Sequence, residues 1–75
     1  MKTEKQVLLE IGEKLKKLRI KKGYTSYETF ALDNELSRMQ YWRIEKGLTN
    51  ITIRSLMKLF AIHNISLEDF FADSK

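Results

Sequence analysis

Apolar residues recur along this chain at spacings of three and four, the pattern of helices that each bury one face. The first stripe contains Leu8, Ile11, Leu15 and Leu18. Basic residues and then Gly23 follow it, an order typical of a helix end. The pattern therefore predicts a first helix from about Glu4 to Lys22.

A second, short helix is predicted after the glycine. Thr25 and Glu28 have the spacing of a capping box, and Ser26 could cap the helix equally well. Either cap gives a helix from about Tyr27 to Asn34 that buries Phe30.

A tight polar turn separates this helix from a third. Ser37 can act as its N-cap, so the third helix is expected from Arg38 to about Lys46, with Gly47 as a left-handed terminator. Thr52 then caps a fourth helix that ends around Ile62. The apolar stripe of the fourth helix is Ile53, Leu56, Met57, Leu59 and Phe60.

Ser66 is predicted to cap a last short helix that carries Leu67, Phe70 and Phe71. Two adjacent phenylalanines on a helix cannot both pack against the same neighbour. One of them is expected to close the core with Leu67 and Phe60. The other, with part of the fourth or fifth helix, is a candidate for a dimer surface.

The whole chain is expected to form one compact, all-α domain of five helices. Its 75 residues include no proline and no cysteine, and no Gly/Ser-rich linker or internal repeat interrupts them. The β-branched run 51–53 is too short, and too closely flanked by helix caps, to predict a strand. We therefore predict a single domain over residues 1–75 with a core of about 8–71.

The formal net charge of the chain is +4, and the charge is unevenly distributed. The stretch 12–23 is rich in lysine and arginine, whereas Glu68, Asp69 and Asp73 make the C-terminal end acidic. This asymmetry suits an approach to a polyanion. No apolar run approaches the roughly 18 residues of a membrane span, and the N-terminus lacks the apolar segment of a signal peptide. A cytoplasmic protein without membrane association is expected.

The second and third helices, with a three-residue break between them, have the dimensions of a helix-turn-helix, whose second helix enters the DNA major groove. On the third helix Tyr41 and Ile44 face one way, toward the core. Of the side chains left over, Arg38, Met39, Gln40 and Arg43 can point toward one outside partner. Arginine matches the acceptor edge of guanine, glutamine can donate to and accept from adenine, and methionine can contact a thymine methyl. A merely solvated helix face would also be polar, so this segment alone leaves both interpretations open.

The order of several segments over residues 11–71 narrows the choice. These segments are "IGEKLKKLRIKKG", "SYETFA", "LSRMQYWRIEKG" and "TIRSLMKLFAIHNISLEDFF". In this order they resemble the Cro/CI-type helix-turn-helix domains of phage repressors and of the xenobiotic-response-element class of bacterial regulators. The resemblance implies a lambda-repressor-like fold, binding to double-stranded DNA as a homodimer, and regulation of transcription by occupying an operator.

The same resemblance implies roles for individual residues. It assigns base contacts to Arg38, Met39, Gln40 and Arg43, and phosphate contacts to Ser26, Tyr27, Lys46, Thr49 and Asn50. It pairs Arg19 with Glu45 as a pin between the first helix and the end of the third. The lysines of the first helix then supply long-range attraction to DNA rather than direct contacts.

Two positions keep alternative interpretations. Trp42 could pack over the neighbouring loop, or it could contact the DNA backbone or a protein partner. The usual turn glycine of the family is replaced by Glu35. Either Glu35 takes the left-handed conformation there, at a cost of about 1 kcal/mol or more, or Asn34 takes it instead.

Other classes of function are weighed against the DNA-binding regulator. An enzyme is not expected, since no nucleophile stands with a base and no glycine loop could cradle a phosphate. His63, the only histidine, has no second ligand-type neighbour, so neither a metal nor another cofactor is expected. RNA binding is disfavoured because no aromatic stacking sheet is predicted.

The main alternative is a protein-interaction module, such as an antitoxin that neutralises a partner protein and autoregulates through DNA binding. Only residues 1–5 and 73–75 lie beyond the domain, which leaves little chain to wrap a partner. That shortage favours the simple regulator.

Overall fold

In the computed structural model, residues 1–72 are described, and they form helices without a strand. In chain order these are α1 (Glu4–Lys21), α2 (Tyr27–Asp33), α3 (Arg38–Glu45), α4 (Ile53–His63) and α5 (Leu67–Ala72). The all-α, five-helix prediction is confirmed for this part of the chain. Each helix boundary lies within about one residue of its predicted place, which is the ordinary uncertainty of a frayed helix end. Of the predicted acidic end, Glu68 and Asp69 lie in α5, whereas Asp73 lies outside the described residues.

Hydroxyl side chains begin the helices. The Oγ of Ser26, and not Thr25, caps α2 by accepting from Thr29 N at 3.3 Å, which decides between the two predicted caps. Ser37, Thr52 and Ser66 cap α3, α4 and α5 as predicted. The capping box that starts α1 was missed: Thr3 Oγ1 accepts from Gln6 N at 3.1 Å, and Gln6 Oε1 accepts from Thr3 N at 2.8 Å.

A left-handed residue follows or ends each of α1 to α4. These residues are Gly23, Glu35, Gly47 and Asn64, with φ of 105°, 57°, 69° and 53°. At the end of α2, Leu36 N donates to Ala31 O at 2.8 Å and Glu35 N donates to Leu32 O at 3.2 Å. The other three ends repeat this pair of bonds, which satisfies carbonyls that the helix itself cannot.

Glu35, and not Asn34, takes the left-handed conformation in the turn between α2 and α3. Asn34 stays at φ −106° and ψ 13°, because its side-chain amide donates to Phe30 O at 2.8 Å and holds it against the last turn of α2. The alternative that placed Asn34 in this conformation is therefore wrong. A glutamate in the left-handed conformation costs conformational free energy, and the two backbone hydrogen bonds that end α2 offset that cost.

Within residues 1–72, buried side chains from every helix meet in one core. They are Ile11, Leu15, Phe30, Ala31, Tyr41, Leu56, Leu59, Phe60 and Phe70. Of the two adjacent phenylalanines, Phe70 is buried and closes the core, with its ring centroid 4.8 Å from that of Phe60. Phe71 is exposed, but its ring also meets that of Phe60, edge-on at 6.5 Å, so the expectation that the two could not share a neighbour is wrong. Lys14 holds α5 against α1 by donating from Nζ to Phe70 O at 2.8 Å.

Three residues expected in or beside this core are exposed instead. Ile53, Met57 and Leu67 keep 68%, 49% and 41% of their surface in contact with solvent. Leu56 and Phe60 already fill the inward side of α4, so neighbours on the helix turn away. The predicted stripe of α4 was wider than the surface that α4 buries.

Two features of α1 fix the position of α3. At Gly12 a Cβ would lie 2.3 Å from Glu45 O and 2.6 Å from Ile44 O, so only glycine permits the observed approach of the two backbones. Farther along, Arg19 Nε donates to Glu45 Oε2 at 2.7 Å, and the two side chains are only 5% and 6% exposed. The ion pair implied by the family resemblance is confirmed.

Candidate nucleic-acid interface

The outward face of α3 carries the predicted base contacts. Tyr41 is buried and Ile44 is partly buried, so both turn inward. Met39 and Arg43 are four residues apart on the opposite side, where successive turns of a helix bring side chains together. Gln40 lies on the flank toward α4, and Arg38 lies on the first turn. All four predicted base-contacting side chains are exposed.

The polar members of this face have no partner among residues 1–72. The side chains of Arg38, Gln40 and Arg43 form no hydrogen bond and no ion pair there. By contrast, the Arg19 guanidinium donates to the Glu45 carboxylate, and its Nη1 donates to Tyr24 O at 2.9 Å. The guanidinium N–H donors of Arg38 and Arg43 are therefore all available to a molecule outside the chain.

The predicted phosphate contacts at the end of α3 divide between its two sides. Lys46 is exposed and borders a shallow groove against α1, with Glu13 and Lys16 opposite. Thr49 and Asn50 line a different groove, of about 470 Å³, between α3 and α4. The three residues therefore flank α3 and do not form one cluster.

Ser26 and Tyr27 are more committed to the fold than the resemblance implied. The Ser26 hydroxyl oxygen accepts the capping bond of α2, and its O–H points to Glu28 Oε1 at 3.5 Å. Tyr27 is partly buried and packs against the core. At these two positions, the groups available to an anion are chiefly the unpaired backbone N–H groups at the start of α2.

Sequence reasoning missed two polar residues of the α3–α4 groove. Ser55 and Lys58 line it together with Gln40, Thr49 and Asn50. Ser55 and Lys58 are three apart, so they share a flank of α4. That spacing was visible in the sequence, but the side of α4 that meets α3 was not.

Trp42 lies on the flank of α3 away from Gln40. Its side chain is partly buried, and it is not among the residues that pack on the core. Within the described residues its indole N–H donates no hydrogen bond. Trp42 therefore brings an amphipathic ring, with an available donor, to the edge of the α3 face.

The buried polar groups of the core are structural. Burial, with the nearby Glu45 carboxylate, raises the pKa of Tyr41, so its phenol stays neutral. Burial, and then Lys22, lowers the pKa of His63, whose ring stacks on Phe30 with centroids 5.3 Å apart.

Among residues 1–72 there is no group of three or more histidine or carboxylate side chains that could hold a metal ion. No helix in that range is long and apolar enough to cross a membrane.

A helix-turn-helix with an exposed, unpaired basic face on its second helix defines a class of DNA-binding proteins. Comparison with known families agrees, since the family model described as "Helix-turn-helix" matches residues 15–70. The chain belongs to this helix-turn-helix family and is a DNA-binding regulator of transcription.

Several known proteins are similar to this chain. Control protein C.MunI of Mycoplasma sp is 39% identical over 67 residues, which cover 89% of this chain and 90% of that protein. Plasmid copy control protein CopR of Streptococcus agalactiae is 39% identical over 59 residues, which cover 79% of this chain and 61% of CopR. The crystal structure of the restriction-modification controller protein C.AhdI from Aeromonas hydrophila superimposes with a TM-score of 0.74 at 31% identity, covering 87% of this chain and 97% of C.AhdI.

Proposed function

We propose that this protein binds operator DNA as a homodimer and regulates transcription from it, with α3 of each copy in the major groove. The base edges are contacted by Arg38, Met39, Gln40 and Arg43. The flanking phosphates are held at Ser26, Tyr27, Lys46, Thr49 and Asn50. The observation that carries the proposal is the set of unpaired polar side chains on the outward face of α3.

The relatives support a particular regulatory role. C.MunI and C.AhdI match this chain over nearly their whole lengths, and their names describe a control protein and a restriction-modification controller. We propose that this chain likewise controls the genes of a restriction-modification system. In the simplest mechanism it represses by occupying the operator, because a bound dimer excludes other proteins from the same DNA.

Dimer formation is proposed through exposed apolar side chains of α4 and α5. We call Ile53, Met57, Leu67 and Phe71 the α4–α5 apolar surface; all four are exposed. Of the four, Phe71 lies beside the core, with its ring centroid 6.5 Å from that of Phe60. A self-complementary contact of two such surfaces would remove them from water and set two copies of α3 on successive turns of DNA.

The test is selection of binding sites from random duplex DNA with the purified protein. We expect an inverted-repeat consensus whose half-sites lie about one helical turn apart, bound about a thousandfold or more tightly than random sequence. Weak, strongly salt-dependent binding without a consensus would contradict the proposal. It would favour the alternative of a protein-interaction module with a generic basic face.

A further inference from the structure

Met39 is apolar, whereas the other exposed side chains of the proposed base-contacting face of α3 are polar. Its side chain is 53% exposed on the outward side of α3, whereas the aliphatic Ile44 is turned toward the core. Single exposed apolar residues are common on protein surfaces. This one, however, lies one helical turn from Arg43, on the surface that the proposed function places against base pairs.

The spacing of the two residues suits neighbouring base pairs. Positions four apart on a helix are about 6 Å apart along its axis. Base pairs of B-DNA follow one another at about 3.4 Å. An α-helix in the major groove can therefore direct Met39 and Arg43 at adjacent or next-adjacent base pairs.

The chemistry of the two side chains is complementary. Arg43 has no partner among residues 1–72, and its planar fork matches O6 and N7 of guanine. Met39 has no donor and only a weak acceptor, so it gains nothing from the polar atoms of a base edge. The apolar group that the major groove offers it is the methyl at C5 of a pyrimidine, which thymine carries and which 5-methylcytosine carries at the same position.

We propose that Met39 recognises the C5-methyl group of a pyrimidine close to a guanine that Arg43 contacts. This inference rests on the proposed function and adds to it the identity of one recognised group. The thioether is flexible enough to close over a methyl group, and burying a group of that size is worth about a fourfold change in affinity. A symmetric dimer makes the contact twice, so removing both methyl groups should weaken binding by about tenfold or more.

Uracil provides the test, because it differs from thymine only by the missing methyl group. Each symmetric pair of thymines in the selected operator is replaced by uracil, and the dissociation constant is measured for the wild type, Met39→Ala and Gln40→Ala. For the wild type we expect one pair of positions at which uracil weakens binding by about tenfold. Met39→Ala should bind the thymine and uracil duplexes equally there. Gln40→Ala should bind both less tightly but keep the ratio between them.

A second arm separates the two sources of the methyl group. Each cytosine of the operator is replaced by 5-methylcytosine. Tighter binding at one symmetric pair, lost in Met39→Ala, would assign methylated cytosine as the recognised base, whereas an effect of uracil alone would assign thymine.

The outcomes separate failure of the inference from failure of the function. A clear consensus with no effect of uracil or 5-methylcytosine at any position would overturn the methyl contact and leave operator binding intact. A methyl effect that persists unchanged in Met39→Ala would overturn the assignment to Met39. Absence of any consensus would overturn both. Equal thermal midpoints of the variants confirm that they fold, as expected for exposed positions.

Discussion

At the scale of single residues, the buried pair Arg19–Glu45 determines how α3 is held. Both side chains are almost fully buried, and Arg19 also donates to Tyr24 O beyond the end of α1. Hydrogen bonding to Glu45 raises the pKa of Arg19, so its guanidinium stays charged over the whole physiological range. The pair matters because removal of one partner would leave the other as an unpaired buried charge.

Arg19→Ala should strongly destabilise the protein. It would leave the Glu45 carboxylate buried without its partner, and such changes cost about 3–5 kcal/mol. Urea unfolding followed by circular dichroism measures the loss.

The matched control is Lys2→Ala. It breaks the Lys2–Glu10 ion pair, whose side chains are 53% and 44% exposed, and should cost less than about 1 kcal/mol. Replacing both buried partners, as Arg19→Met with Glu45→Met, should recover much of the loss because no charge is then stranded. A loss for Arg19→Ala no larger than that for Lys2→Ala would contradict this account.

His63 makes the stability of the fold depend on pH. Burial lowers its pKa in the folded state below the usual value of about 6.5, and Lys22 lowers it further. As the pH falls through 6.5, the unfolded chain takes up a proton more readily than the folded one, so the free energy of unfolding decreases. Above about pH 6.5 the stability is fully present.

His63→Phe removes the titrating group and keeps a flat ring to stack on Phe30. We expect the fall in unfolding free energy between pH 7.5 and pH 5 to be smaller in this variant than in the wild type. Thermal or urea unfolding at both pH values measures it. Parallel pH profiles of the two proteins would show that His63 titrates alike in both states.

At the scale of the elements, helix limits could be predicted because caps and terminators are local. Ser37, Thr52 and Ser66 act through hydrogen bonds to residues three positions on, all of which a sequence displays. The left-handed Glu35 could not be chosen over Asn34, since the choice depends on the Asn34 amide bonding to Phe30 O.

Burial was harder to predict than helix limits, because it depends on which elements meet. Ile53 and Met57 have helical spacing with Leu56 and Phe60, but the neighbours of α4 cover only part of that stripe. Similarly, nothing local marks Gly12 as the point where α1 touches the backbone of α3.

The α4–α5 apolar surface gives a prediction for one element. Met57→Glu would place a charge in the proposed dimer contact, so we expect the protein to sediment as a monomer at concentrations where the wild type is a dimer. Operator affinity should fall with it, because a single half-site is then bound.

Ile20→Glu is the matched control, since Ile20 is 48% exposed and Met57 is 49% exposed, but Ile20 lies on α1. It should leave the sedimentation of the protein unchanged. If Met57→Glu also sedimented like the wild type, the dimer contact would have to lie elsewhere.

At the scale of the whole molecule, the sequence predicted which residues α3 would present but not how its surroundings are arranged. The spacing of Arg38, Met39, Gln40 and Arg43 within one helix placed them on an exposed surface. The positions of Lys46 and Asn50 on opposite sides of α3 depend on the path of the loop after Gly47, which no periodic pattern records. The division matters because a helix in the major groove has a DNA backbone on each side of it.

The central claim is that the outward face of α3 reads base pairs while the end of α3 holds phosphate. The most direct measurement compares Arg43→Ala and Lys46→Ala on the selected operator, on its single-base variants and on random duplex, at several salt concentrations. We predict that Arg43→Ala loses about 1–3 kcal/mol of preference at one base pair in each half-site, whereas Lys46→Ala weakens binding to every duplex alike and reduces the salt slope by about one unit. An Arg43→Ala variant that kept the wild-type preference at every base pair would contradict the claim.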